Sequence, residues 1–306
     1  MDPLSDILAL VQPRTYATGG FSAGGDWGVR FPAHGMVKCY SVVRGECWLA
    51  VDNIAEPIRL QTGSCFLLPR GWPFSLSSEP SQPLKSWEML SQQERYNGIM
   101  PLTPGEDFLI LGSHFRLEGD ARFLLDALPP VVLLESEEQR QSLRWAVDRL
   151  LREMRDPQPG GTLIAQQIAY TMLVEALRLH VAEDIGKDPG WLAALGDVRL
   201  RAALSSIHGE PARAWTLAGL AHAAGMSRTA FAQLFKRKVG KSPMEYLTHW
   251  RMTIAANRLK NPKESISSIA PAVGYQSQSA FSAAFKREWG SSPREYSRAK
   301  CAVGPS

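Results

Sequence analysis

The sequence predicts an α+β chain of more than one domain: an N-terminal antiparallel β-barrel, a helical segment, and a C-terminal all-α double helix-turn-helix. Three observations predict it. Short β-like runs punctuated by Gly and Pro fill about Trp27 to Leu117. From Glu137 the apolar period becomes helical. Twenty residues starting at Ser227 recur, with the same spacing, fifty positions later at Ser277.

The strand-like runs are VKCYSVV, CWLAV, SCFLLP and FLILGSHFRL. Arg44-Gly45 reads as a two-residue hairpin turn, pairing Val42 with Cys47 and Cys39 with Ala50. Leu143, Val147, Leu150, Leu151 and Met154 then fall at helical spacing, up to the break Asp156-Pro157-Gln158-Pro159-Gly160-Gly161. A second helix is expected from about Thr162 to Asp184, carrying Leu163, Ile164, Ile168, Met172, Leu173, Leu177 and Val181. Both helices have an apolar side wide enough to cover the barrel and meet a second copy, so a homodimer is expected. GKDPG (Gly186 to Gly190) reads as a linker. The expected division is a barrel over 1–130, a helical dimerisation segment over 131–189, and a double helix-turn-helix over 190–306.

The repeat sets SRTAFAQLFKRKVGKSPMEY (Ser227 to Tyr246) against SQSAFSAAFKREWGSSPREY (Ser277 to Tyr296). Upstream the echo continues one residue out of step, Leu220, Ala221, Ala224 and Gly225 against Ile269, Ala270, Val273 and Gly274. Two copies of helix, Gly-containing turn and helix are the plan of a double DNA reader. In the first copy Ala230, Phe231, Leu234 and Phe235 are expected to be buried; in the second, Ala280, Phe281, Ala284 and Phe285. The opposite faces present Arg228, Thr229, Ala232 and Gln233, and Gln278, Ser279, Ser282 and Ala283. Arg suits guanine, Gln suits adenine, and small methyls can meet thymine. Lys236, Arg237, Lys238, Lys241, Lys286 and Arg287, late in the helices and turns, suit phosphates. Pro243 and Pro293 read as helix-start residues, with a connecting helix from about Pro243 to Lys260. Pro271, inside a helix, removes one backbone donor.

Charge distribution points the same way. From Trp191 onward there are 17 Lys/Arg and 6 Asp/Glu, against 17 and 24 before it. A basic third joined to an acidic body suits one polyanion-binding module and one with another task. No basic n-region opens the chain and no apolar run is long enough to span a bilayer, so a cytoplasmic protein without membrane contact is expected. The four cysteines, Cys39, Cys47, Cys65 and Cys301, lack CxxC spacing and scaffold density. Cys39, Cys47 and Cys65 are expected as small buried hydrophobes, and Cys301 as incidental.

The segment from about Asp197 to Arg298, above all GYQSQSAFSAAFKREWGSSPREY (Gly274 to Tyr296), resembles the AraC/XylS family of bacterial transcription regulators. The resemblance implies base contacts at Arg228, Thr229, Ala232, Gln233, Gln278, Ser279, Ser282 and Ala283 of double-stranded promoter DNA. It also implies regulation of promoters, usually as an activator working with RNA polymerase, under a small effector bound by an N-terminal sensory domain.

Upstream, Gly63-SCFLL-Pro69-Arg70-Gly71-Trp72-Pro73-Phe74 is similar to the second cupin motif, with Phe74 where a metal-binding His would stand. The first motif maps onto Gly35, Ser41 and Val43, again without its histidines. His34 and His114 lack ligand spacing, so neither a metal nor another cofactor is expected and the chain is read as a non-enzyme. An apolar effector pocket is expected among Tyr40, Trp48, Phe66, Leu68, Trp72 and Phe74, with strand register deciding which of them face inward. Two alternatives stay open: a cupin-type metal enzyme tethered to DNA, and a sequence-independent architectural DNA binder.

Overall fold

The computed structural model describes residues 2–92, 98–117, 122–183 and 190–302. They form two compact units: residues 13–117 with 128–183, and residues 2–12 with 122–127 and 190–302. The first helix thus groups with the C-terminal helices, and most of the expected linker (186–189) lies outside the described residues.

In the β-rich unit, β1 (Pro13–Ala23), β3 (Val37–Arg44), β6 (Cys65–Leu68), β9 (Ile99–Pro101), β10 (Phe108–Leu117) and β11 (Val132–Leu134) form one sheet, in the order β11-β6-β3-β10-β1-β9. The other sheet contains β2 (Gly28–Phe31), β4 (Glu46–Val51), β5 (Ile58–Gln61), β7 (Phe74–Ser77) and β8 (Lys85–Ser86), ordered β5-β4-β7-β2-β8. The expected antiparallel pairing holds in the body of each sheet, while β9 on β1 and β8 on β2 are parallel edges. Alternation along each strand sends Phe21, Tyr40, Val42, Phe66, Leu68 and Ile110 of the six-stranded sheet into one core. Phe31, Cys47, Leu49, Phe74 and Leu76 of the five-stranded sheet belong to the same core.

The expected hairpin at Arg44-Gly45 does not form. β3 pairs with β10 and β6, whereas β4 pairs with β5 and β7, so Gly45 is a corner between sheets. Val42 and Cys47 reach the shared core from opposed sheets, where a hairpin would set them side by side on one face of a single sheet.

Helix α2 (Trp87–Leu90) follows β8. Helices α4 (Glu137–Arg155) and α5 (Gly161–Glu183) complete the unit and pack on each other. A capping box between Ser136 and Gln139 starts α4. Leu143, Leu150, Leu151, Met154, Ile168, Met172, Leu173 and Leu177 are buried as the period predicts. Leu163 and Ile164 are exposed instead, as is Trp145 on α4. α5 lies against β1 and β11, with Thr15 Oγ1 donating to the Gln166 carbonyl at 3.1 Å.

The helical unit comprises α1 (Pro3–Val11), α3 (Arg122–Leu125), α6 (Trp191–Ala194), α7 (Val198–Gly209), α8 (Leu217–Ala223), α9 (Arg228–Val239), α10 (Pro243–Arg258), α11 (Ile266–Ala272), α12 (Gln278–Trp289) and α13 (Pro293–Ala302). α1 packs on α7, with Ile7, Leu8 and Val11 buried. Asp6 Oδ2 stands 3.7 Å from His208 Nδ1, while His208 Nε2 bonds the Tyr246 hydroxyl at 2.8 Å and its ring stacks on Trp250 at 4.0 Å. Burial holds His208 down at about 3, so the imidazole is neutral at pH 7 and its contact with Asp6 is no ion pair there.

Candidate nucleic-acid interface

Each repeat folds into the same device. In the first, α8 and α9 meet at Gly225, which takes a left-handed φ of 63°; in the second, α11 and α12 meet at Gly274 with φ 83°. Ser227 and Ser277 cap α9 and α12 through bonds from Ala230 N and Ala280 N. Three residues separate α8 from its following cap and four separate α11 from its own. That extra residue is the one-step slip in the sequence echo. It brings Tyr275 into the turn, where its ring meets Phe281 at 5.9 Å and the Arg251 guanidinium at 5.8 Å.

The repeated aromatics build the two cores. Phe231 and Phe235 stand 5.5 Å apart, and Tyr246 meets Phe235 edge-on at 5.7 Å. Phe281, Phe285 and Tyr296 reproduce this with 5.8 and 5.4 Å. The shared Ser-Pro-x-Glu has a structural meaning: Glu245 bonds Ser242 N and Glu295 bonds Ser292 N, both at 2.8 Å, with the prolines at the first helical position of α10 and α13. Pro271 lies one residue from the end of α11 and is exposed, so the carbonyl it leaves unmatched can meet water.

With Phe231, Leu234, Phe235 and Val239 inside, the exposed face of α9 carries Arg228, Thr229, Gln233, Lys236 and Arg237. Ala232 is half-buried on its flank, Lys238 is half-buried, and Lys241 is exposed in the turn that follows. On α12, Gln278, Ser279, Ala283, Lys286 and Arg287 are exposed and Ser282 is half-buried. Ala230 and Ala280, expected inside, are exposed instead. At about 100° per residue each lies too far from the Phe pair to reach the core. None of Arg228, Gln233, Lys236, Arg237 or Gln278 is held by a hydrogen bond or ion pair among the described residues. A helix face of free long polar side chains, seated on a core that fixes the backbone, can read base edges and bind phosphates.

The connector α10 holds the two readers in place. His249 on α10 bonds Glu288 near the end of α12, and Trp289 Nε1 donates to the Met252 carbonyl at 3.2 Å. Arg251 bonds the carbonyls of Pro211 and Arg213 at 2.7 and 2.8 Å. The sequence reading passed over His249 and Glu288, because a contact between residues 39 apart leaves no periodic trace.

In the β-rich unit the expected pocket residues separate. Phe66, Leu68 and Phe74 are packed core, Trp72 packs half-buried against it, and Trp48 faces the other way, between Cys47 and Leu49, which point in. Tyr40 lines a cavity of about 190 Å³. Strict alternation along β4 decides the facing of Trp48 that the sequence left open. Phe74, at the metal-ligand position of the cupin motif, stacks on Phe31 at 4.4 Å, and the Lys38 ammonium lies 4.9 Å from its ring. His34 Nδ1 bonds the Met36 carbonyl at 2.7 Å and His114 Nε2 bonds the Tyr40 hydroxyl at 3.2 Å. Among the described residues no three His, Cys, Asp or Glu converge as metal ligands, and a cation beside the expected centre opposes an ion there. These residues do not fit a cupin metal.

Residues 2–182 match the family model described as Cupin, and residues 220–299 the one described as Helix-turn-helix domain. An AraC-like transcription regulator of Streptomyces lividans is 40% identical over 281 residues, covering 91% of this chain and 92% of that one. The chain belongs to the AraC family of transcription regulators. A second AraC-like regulator, from Streptomyces antibioticus, is 38% identical over the same shares. The RCS-specific HTH-type transcriptional activator RclR of Escherichia coli K12 is 32% identical, with 91% of this chain and 90% of that one covered. As an AraC-family regulator with a cupin domain, the chain binds DNA through its helix-turn-helix units. No helix among the described residues is long and apolar enough to cross a membrane.

Proposed function

We propose that this AraC-family chain is a cytoplasmic, sequence-specific transcriptional activator, controlled by a small effector bound in its β-rich unit, and not an enzyme. One observation carries the reading: both recognition helices bury a Phe pair and leave their free polar residues on one exposed face. Arg228, Thr229, Ala232 and Gln233, with Gln278, Ser279, Ser282 and Ala283, contact bases, and the first helix, richer in long side chains, discriminates more. Lys236, Arg237, Lys238, Lys241, Lys286 and Arg287 hold phosphates. The exposed Trp145, Leu163 and Ile164 support α4 and α5 as the surface of a homodimer. The activator works with RNA polymerase at the promoter.

Selecting bound sites from a random duplex library with full-length protein tests this. A bipartite motif with its elements about one helical turn apart is the expected result. Recovery of DNA without any motif, together with a steep salt dependence, would instead favour an architectural binder.

A further inference from the structure

The cavity at Tyr40 differs from the core around it. Its floor is glycine-rich, and its aromatic walls, Phe21, Phe31, Tyr40 and Trp87, come from both sheets and from α2. Gly112 is needed there, since a Cβ would lie 2.4 Å from the Tyr40 ring. The rings are held without filling the space: Phe31 meets Trp87 at 4.8 Å and Phe21 at 6.5 Å. Trp87 and His114 are half-exposed, so the cavity opens outward.

Its polar side chains are those of Thr18, Tyr40 and His114. The Tyr40 hydroxyl and His114 Nε2, bonded at 3.2 Å, can together both donate to and accept from a third group. Among the described residues no carboxylate lines the cavity, and the Lys38 ammonium lies 5.4 Å from the Phe31 ring centre. An aromatic cage would ordinarily favour a cation, but here one already occupies a wall ring and no acid offsets a second. At about 190 Å³ the space is below the range of drug-sized sites and suits a single ring.

We propose that this cavity binds a small hydroxylated aromatic molecule, its ring between Phe31, Phe21 and Trp87 and its hydroxyl on the Tyr40–His114 pair. The site rests on the reading of the β-rich unit as a sensor and names the chemistry that it senses.

The test is calorimetric titration of the full-length protein with phenol, toluene, cyclohexanol and benzylammonium. Saturable one-to-one binding of phenol is expected, with cyclohexanol and benzylammonium weaker by about tenfold or more. Trp87→Ala should weaken phenol and toluene alike by about tenfold, whereas His114→Leu should weaken phenol by about tenfold and leave toluene within about threefold. Retained toluene binding by His114→Leu shows that this variant is folded. No phenol binding up to about 10 mM, or equal binding by wild type and Trp87→Ala, would overturn the site. Tighter binding of benzylammonium than of phenol would overturn the ligand class. Operator affinity measured with and without phenol separates the two readings. Binding that leaves DNA affinity unchanged upholds the site and removes its sensory role, and absent binding beside intact operator recognition removes the site alone.

Discussion

The sulfur atoms of Cys39 and Cys65 lie 3.9 Å apart, both buried, on neighbouring antiparallel strands. The register pairs Cys39 with Leu67 and Ser41 with Cys65, so the thiols are diagonal neighbours on the sheet face turned away from the shared core. Either thiol can donate across this contact; the contact and burial raise Cys39, and the contact lowers Cys65, making it the more acidic partner. Cys47, inside the core, is pushed up by burial. All three should resist a thiol reagent on the native protein at neutral pH and react fully once it is unfolded, as read peptide by peptide in a mass spectrometer. Rapid native labelling of Cys65 would show that this sheet face opens.

Base and phosphate roles separate by mutation. Arg228→Ala or Gln233→Ala should relax preference at one or two base pairs, at a cost of about 1–3 kcal/mol each. Lys286→Ala should weaken all sequences alike and lower the salt slope by about one. Titrations of operator variants at several salt concentrations distinguish the two patterns, and identical behaviour of both classes would refute the division.

Acid should destabilise the fold through His208, which is buried, and His34, which is half-buried. Burial lowers His34 to about 4 and His208 to about 3 from an ordinary 6.5. Below pH 6.5 the unfolded chain takes up protons that the native state refuses. Stability is therefore complete above pH 6.5 and lost progressively below it, by about 3 kcal/mol for His208 on reaching pH 4. Denaturant melts across this range should show the loss, and His208→Gln should flatten it.

Lys38 gives the opposite flank. It is buried over Phe31 and Phe74, without an ion pair among the described residues, and desolvation lowers it from 10.5 to about 8. The native state sheds this proton before the unfolded chain does, so stability should rise between pH 8 and 10.5. Lys38→Met should remove that rise and add about 1–2 kcal/mol at pH 7, measured by chemical unfolding.

The two readers depend on equivalent cores. Phe231→Ala and Phe281→Ala should each cost about 3–5 kcal/mol by thermal or chemical unfolding. A cost near zero at either position would mean that its unit is not the packed module described.

Legibility in the sequence followed the range of the interactions. The double helix-turn-helix was legible in its caps, Phe pairs and turn glycines, which are local and were written twice, though not in the facing of Ala230 and Ala280. Helices α4 and α5 were legible for the same reason of period. In the β-rich unit the strands could be located but not their partners: Val42 and Cys47, five residues apart, lie in different sheets, and nothing local says so. The facing of Trp48 was left open, the Cys39–Cys65 neighbours were missed, and the cavity was sought among core residues, whereas Gly112, His114 and Trp87 come from elements far apart in sequence.

The grouping of α1 with the C-terminal helices bears on how such chains can be cut and spliced. The polypeptide passes from one unit to the other at Gln12–Pro13, between 117 and 122, at Ala127–Leu128, and between 183 and 190. The chain crosses between the two units four times rather than once. A fragment beginning at 190 lacks Asp6, Ile7, Leu8 and Val11, leaving bare the α7 surface on which they pack. A chimaera joined at a single point near 190 would carry an opening helix shaped for another reader, and a faithful exchange of sensors must also restore residues 2–12 and 122–127.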